Sequence, residues 1–228
     1  MKKGILYGLG VGPGDPELMT LKAVRLLRQA DLIAVPDKGS GNKTALQIVS
    51  AHVEGKPLLY CPTPMTRDHS AWDACHEAIA DRICQELDQG KTVAFITLGD
   101  PTVYSTYIYI HRKVAARGYQ AELVPGVTSF CAAAAKLGQP LCENNQRLLI
   151  VPASCDLGDS LEIKASKVFM KAGSCIMELQ DALRTSGDLE RASLAENLGL
   201  EGERLLPHFG ELTEPSGYFS VVLLPQED

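Results

Sequence analysis

The sequence predicts an α/β fold, and three observations carry that expectation. Short apolar runs recur along the first half of the chain, at Ile5-Leu6-Tyr7 with Leu9, Leu32 to Val35, Thr92 to Thr97 and Ala121 to Val124. Each meets a glycine- or proline-bearing break and then a segment with helical spacing, the strand–loop–helix rhythm of α/β proteins. The first run is apolar on both faces, as in a parallel sheet covered by helices. The 228 residues, 45% of them hydrophobic, are enough for a sizeable core in one large domain or two smaller ones.

The elements follow in order. After the first strand, Thr20 is the N-cap of a helix through Gln29, with Leu21, Val24 and Leu27/Arg28 at helical spacing. Leu32 to Val35 is a strand closed by Pro36, Asn42 to Ser50 a helix, and Pro57 to Tyr60 a third strand. A polar, proline-bearing loop from Pro62 to Ser70 precedes a helix from Ala71 to Leu87, with Ile79, Ile83 and Leu87 along one face. Thr92 to Thr97 is broken by Gly99-Asp100-Pro101, and a helix resumes from Val103 to Ala116 until Gly118 stops it. Ala121 to Val124 is broken by Pro125-Gly126 before a helix from Thr128 to Leu137. In the second half, Leu148 to Val151, Val168 to Met170 and Tyr218 to Leu224 read as strands and Ile176 to Leu183 as a helix. Residues 154–166 and 185–192 read as irregular. The change of rhythm places a domain boundary near Pro125, giving α/β domains over 1–124 and 125–228.

The net charge of −6 weighs against a general nucleic-acid binder, which needs a basic patch, while leaving room for a small anion in a local basic pocket. The N-terminal MKKGILYGLG meets glycines, proline and acids too soon for a secretory signal. No apolar run approaches the length of about eighteen residues that spans a membrane, so a cytoplasmic protein is expected. Cysteines at 61, 75, 84, 131, 142, 155 and 175 contain no Cys-x-x-Cys pair. Neither a zinc site nor a disulfide framework is indicated, and a reducing compartment is.

Three loops lie where ligands bind in open α/β sheets, beyond the carboxyl ends of strands. They are Gly8 to Glu17, Gly99-Asp100-Pro101, and Pro125-Gly126-Val127-Thr128-Ser129. The first lacks the Gly-Lys-Ser/Thr of a phosphate loop. Its glycines at 8, 10, 12 and 14 miss the dinucleotide spacing, and Pro13 removes a backbone donor. Such glycines serve either left-handed backbone or close approach of a ligand. Plain structural roles stay open beside the functional ones: a helix-capping acid at Asp100, N-caps at Thr128 and Ser129, core filling at Met170.

Taken together, GVGPGDPELMTLKA, FITLGDPTVYST and VPGVTSFCAAAAKLGQPL resemble the motifs of the tetrapyrrole methyltransferases of cobalamin and sirohaem synthesis. The resemblance covers essentially the whole chain. PTPMTRD, LGDPTVYST and the late GYFSVVLL narrow it to the C20-methyltransferases acting on precorrin-2 or cobalt-factor II. It implies a two-domain fold with S-adenosylmethionine folded into an interdomain trough, and a homodimer with no nucleic-acid or membrane partner. It implies that Gly99, Asp100 and Val103 contact the cofactor, with Thr128 and Ser129 from the next loop, and with Met170 and the segment Pro207, His208 and Phe209. By the same resemblance, Gly12, Pro13, Gly14 and Asp15 shape the tetrapyrrole side of the site.

The implied chemistry needs no metal and no covalent enzyme nucleophile. An electron-rich ring carbon, C20, attacks the sulfonium methyl in line, so the protein's main work is positioning. Loss of a proton around C20 leaves room for a weak base or hydrogen-bonding group. Tyr218, Tyr104 and Asp100 are the candidates, with orientation ahead of acid–base work. The substrate's carboxylates call for basic residues, and Lys38, Lys43, Arg67, His69 and Lys171 are placed for that, although each also reads as an ordinary surface group. The alternatives are a sister methyltransferase acting at another ring carbon, the related ribosomal-RNA and diphthine branches, a nicotinamide enzyme, and a non-catalytic binding protein. Between metal-free precorrin-2 and cobalt-factor II, the reduced cysteine-rich character suits an anaerobic host and tilts the reading toward cobalt.

Overall fold

The computed structural model describes residues 3–37, 43–63, 68–152 and 157–227. The chain divides into two compact units, Met1–Thr128 and Ser129–Asp228. The expected change at 124/125 falls slightly earlier than this division. The Pro125–Thr128 loop goes with the first unit because Gly126 is hydrogen-bonded to Asp100 there.

The first unit contains β1 (Ile5–Gly10), α1 (Leu21–Gln29), β2 (Leu32–Asp37), α2 (Thr44–Val53), β3 (Leu58–Pro62), α3 (His69–Asp88), β4 (Val93–Thr97), α4 (Tyr107–Ala116) and β5 (Gln120–Val124). Its strands are all parallel, in the order β3-β2-β4-β1-β5. Alternation along each strand sorts the core into two layers. Leu9, Ile33, Val35 and Ile96 pack with Leu26 and Leu27 of α1 and Ile48 and Val49 of α2. Leu6, Leu32, Ala34, Val93 and Phe95 pack with Ile79, Ile83 and Leu87 of α3 and Ile110 and Val114 of α4. Each such valine, leucine, isoleucine or phenylalanine contributes about 1.5–3 kcal/mol by leaving water.

That arrangement positions a site. β1 and β4 are neighbours, yet β1 runs on into α1 on one face while β4 runs on into α4 on the other. Adjacent strands whose connections leave to opposite faces open a crevice at their carboxyl ends.

The second unit contains α5 (Ser129–Leu137), β6 (Leu148–Pro152), α6 (Gly158–Glu162), β7 (Ser166–Met170), α7 (Ile176–Ser186), β8 (Ser193–Glu196), β9 (Arg204–Leu206) and β10 (Ser220–Leu224). The sheet order is β6-β7-β10-β8-β9, with β6 parallel to β7 and the remaining pairings antiparallel. Phe169, Leu194, Val222 and Leu224 pack with Ile176, Leu179 and Leu183 of α7 and with Phe209. Gly187, at φ 83°, ends α7 in the left-handed conformation that glycine adopts freely.

Several expectations are corrected. Thr20 caps α1, accepting from the Ala23 amide at 3.2 Å, but Leu21 is 90% exposed. The buried stripe of α1 is Ala23, Leu26 and Leu27. α4 begins at Tyr107 rather than Val103, because Thr102 folds back on Asp100 and Tyr104 sits at φ 47°. The last strand starts at Ser220, leaving Tyr218 in the preceding loop. β8, β9 and the short α6 were not expected. Among the described residues no helix is long and apolar enough to cross a membrane.

Candidate functional site

At the crevice of the first unit, three loops are tied into one backbone knot. Val11 donates its amide to the Thr97 carbonyl at 3.0 Å, extending β1 alongside β4. The Gly99 amide then donates to the Gly12 carbonyl at 2.7 Å, and the two glycines form an isolated antiparallel bridge. From the third loop, Gly126 donates its amide to Asp100 Oδ2 at 2.9 Å. The other carboxylate oxygen, Oδ1, accepts from the Thr102 amide at 2.7 Å and from the Thr102 hydroxyl. Asp100 is 7% exposed and uses both oxygens on its own loops. A buried carboxylate that accepts several backbone and hydroxyl donors is held rigidly.

Close approach explains two of the glycines. A Cβ on Gly10 would lie 2.6 Å from both the Gly126 nitrogen and the Gly99 oxygen. A Cβ on Gly126 would lie 2.3 Å from the Gly99 oxygen. Backbone cannot yield as a flexible side chain can, so only glycine lets the loops meet. Gly99 differs. Its φ is 68°, and the nearest atom to a Cβ there is the Val127 oxygen at 4.0 Å, an ordinary contact distance, so this glycine serves the left-handed conformation rather than a close approach.

Around the knot, Thr97 Oγ1 and Ser105 Oγ lie 2.8 Å apart, and Ser105 Oγ accepts from the Tyr107 amide at 3.3 Å. Val103 closes a turn by donating to the Asp100 carbonyl at 3.3 Å. Tyr104 is 44% exposed. Thr128 Oγ1 is buried and has no hydrogen-bond partner among the described residues. Gly12, Pro13 and Gly14 are buried, and Asp15 caps the turn Pro16–Leu18 by accepting from the Glu17 amide at 2.8 Å.

Lys43 stands before α2 with Nζ 4.0 Å from the centre of the Tyr60 ring, a cation–π contact. His69 is exposed at the start of α3. Lys38 and Arg67 lie outside the described residues, as does most of the polar loop between β3 and α3.

In the second unit, Met170 ends β7 and Lys171 follows at φ 60°. Burial lowers the Lys171 ammonium below the ordinary lysine range. The next turn touches the loop that carries Tyr218, since a Cβ on Gly173 would lie 2.3 Å from the Gly217 oxygen. Glu196, 4% exposed, holds that loop by accepting from the Ser216 hydroxyl while pairing with Arg204. Asn197 donates its backbone amide to the Phe219 carbonyl at 3.0 Å. Tyr218 is 40% exposed, and partial burial raises its phenol above the ordinary tyrosine range. Phe209 is fully buried, with its carbonyl accepting from Gln180 Nε2 at 3.0 Å, whereas Pro207 and His208 are exposed. Ser129 opens α5.

Sequence reasoning missed Gly10 and Gly126 as contact points and Glu196 as the tie for the Tyr218 loop. Their signals were a glycine at the carboxyl end of a strand, a glycine after proline, and an acid closing the apolar run Leu194-Ala195.

The chain matches the tetrapyrrole (corrin/porphyrin) methylases over residues 5–213. It is 32% identical to the cobalt-precorrin-2 C(20)-methyltransferase of Salmonella typhimurium, with 98% of this chain and 97% of that protein covered. It is also 32% identical to the precorrin-2 C(20)-methyltransferase of a Sinorhizobium species, over 97% of this chain and 95% of that protein. The cobalamin biosynthesis protein CobIJ of Mycobacterium tuberculosis is 34% identical over 98% of this chain, which spans only 46% of that longer protein. Among solved structures, the cobalt precorrin-4 methyltransferase CbiF superposes with a TM-score of 0.77 at 20% identity, covering 97% of this chain and 94% of that one. Two sheet-based α/β units, a glycine knot at the crevice of the first, and a match along nearly the whole chain agree: this protein belongs to the tetrapyrrole (corrin/porphyrin) methylase family.

Proposed function

We propose that this protein transfers a methyl group from S-adenosylmethionine to C20 of a reduced tetrapyrrole, cobalt-factor II or precorrin-2, in cobalamin biosynthesis. The observation that carries the reading is the near full-length match to two C(20)-methyltransferases, one of a cobalt-bearing and one of a metal-free substrate. Their equal identity leaves the metal to experiment, and cobalt-factor II is the first substrate to try.

The residues present fit the cofactor. A buried hydroxyl without a partner costs about 1–3 kcal/mol, a cost that a polar ligand group at Thr128 Oγ1 removes. Gly99, Asp100, Val103, Thr128 and Ser129 are the proposed holding group. S-adenosylmethionine supplies an electrophilic methyl on a sulfonium centre. The protein's part is to fix the geometry of approach. Asp100 does this through its loops, since both of its oxygens are engaged. The raised Tyr218 phenol stays protonated at neutral pH and therefore orients by donating rather than by taking a proton. Lys43, His69 and Lys171 are proposed to meet substrate carboxylates, joined by Lys38 and Arg67. We place the enzyme in the cytoplasm as a homodimer.

The test is an anaerobic assay run in parallel with precorrin-2 and cobalt-factor II, each with S-adenosylmethionine, with the product read by mass. Gain of one methyl is the expected result, and relative turnover ranks the substrates. If neither gains a methyl although both bind, a sister reaction replaces this one.

A further inference from the structure

Two thiols meet where α3 packs on β3, and neither has a part in the site described above. Cys61 lies on β3 and is 1% exposed. Cys75 lies in the first half of α3 and is partly exposed. Cys61 belongs to the core layer that α3 builds against the first sheet, and Cys75 packs against that layer. Side chains of α3 hold the carbonyls on either side of Cys61. Arg82 Nη1 donates to the Tyr60 oxygen at 2.8 Å, and Cys75 Sγ donates to the Pro62 oxygen at 2.8 Å. The Cys75 sulfur is thus one hydrogen bond away from the residue that follows Cys61. Cys61 Sγ itself makes a long contact, to the Leu59 oxygen at 3.5 Å. A third cysteine of the layer, Cys84, donates no such bond and instead accepts from Arg117 Nη1 at 3.7 Å. It lies roughly 13 Å beyond Cys75 by the helix rise, whereas bridged cysteines have Cα atoms within about 7 Å, so it does not compete for Cys75.

We propose that Cys61 and Cys75 are an oxidation site, closing into a reversible disulfide across the seam between β3 and α3 with a peroxide as the oxidant. Cys75 is the more accessible thiol and reacts first. Its thiolate attacks one peroxide oxygen, the O–O bond breaks, and the departing hydroxide takes a proton to leave as water. The sulfenic acid so formed is attacked by the Cys61 sulfur. The S–S bond forms, the S–O bond breaks, and the hydroxyl leaves with the Cys61 proton as a second water. Two thiols lose two electrons and the peroxide gains them. Burial first, and the neighbouring Cys75 charge in the same direction, raise the Cys61 thiol to about 12 against the opposing pull of Arg82, which fits Cys61 to the second step rather than the first. The bridge joins the ends of the segment that carries Arg67 and His69.

The experiment exposes the reduced, folded protein to hydrogen peroxide, alkylates the remaining thiols with iodoacetamide in denaturant, and maps the peptides by mass without reduction. Far-ultraviolet circular dichroism is followed throughout the oxidation. The expected result is a pair of peptides joined through Cys61 and Cys75, lighter by two hydrogens, that separates on treatment with dithiothreitol. Cys75→Ser should lose the linkage and leave Cys61 open to alkylation, whereas Cys84→Ser should keep the linkage. Cys75 carried on to the sulfinic acid while Cys61 stays a thiol overturns the proposal. So does linkage of either residue to a different cysteine, or survival of both as thiols. A Cys61–Cys75 bridge that forms only after the dichroism of the fold is lost also overturns it, because the folded seam then does not bring the two sulfurs together.

Discussion

The glycines at the crevice make opposite demands, and substitution separates them. Gly126→Ala drives a methyl against backbone 2.3 Å away, so it should destabilise by at least the 1–3 kcal/mol (approximate) typical of overpacking. Gly99→Ala meets no atom closer than 4.0 Å and carries the left-handed penalty of about 1–2 kcal/mol, in the loop proposed to hold the cofactor. Urea denaturation should therefore rank Gly126→Ala as the more damaging for stability, and S-adenosylhomocysteine titration should rank Gly99→Ala as the more damaging for binding. Asp100→Asn leaves the Gly126 amide or the Thr102 donors without an acceptor. It should cost about 1–3 kcal/mol in thermal or urea denaturation and weaken S-adenosylhomocysteine binding in the same direction. Gly99 and Asp100 were legible in the sequence because the motif carries them. The separate duties of Gly10, Gly99 and Gly126 were not, since a glycine in a sequence does not say whether it serves a φ angle or a close approach.

At the scale of elements, strands with apolar faces and helices with intact stripes were readable, as in β1, β4 and α3. β8 escaped because its ends are polar. Ser193 is bonded to Gln139 and Glu196 to Ser216 and Arg204, so tertiary partners bury groups that a local pattern assigns to a loop. Leu21 misled in the opposite sense, a leucine at helical spacing on the solvent side of α1. Between α3 and α4, ion pairs join Lys113 to Asp73 and Glu77, and Arg117 to Glu77 and Asp81. Beside them His76 is 1% exposed, edge-on to Trp72 at 4.1 Å and stacked 5.7 Å from Tyr109, and its Nδ1 has no hydrogen-bond partner among the described residues. Burial first, and the Lys113 charge second, lower the His76 pKa below its ordinary value of 6.5. The unfolded chain therefore binds this proton first as pH falls. The contribution of neutral His76 is complete above pH 6.5 and declines as pH drops through the lowered folded value. Urea midpoints followed through Trp72, the single tryptophan, should fall across that acid window, and His76→Leu should flatten part of the fall. His111, lowered chiefly by burial, should account for some of the remainder.

For the whole molecule, the sequence pattern located the loops at the carboxyl ends of β1, β4 and β5 but not the strand order that makes them neighbours. Parallel pairing of β1 with both β4 and β5 joins segments far apart in the chain, and no local rule predicts it. The family was legible because three motifs agreed along the whole length. PTPMTRD, LGDPTVYST and GYFSVVLL narrow the resemblance to C20, and because ring carbons of one macrocycle differ in position rather than in the chemistry that holds the ligand, the product decides that point. The most direct measurement is a single anaerobic turnover of cobalt-factor II with S-adenosylmethionine carrying an isotope-labelled methyl, followed by NMR of the product. The account predicts one labelled methyl, attached at C20. A labelled methyl at any other ring carbon, or none while both ligands are bound, would contradict it.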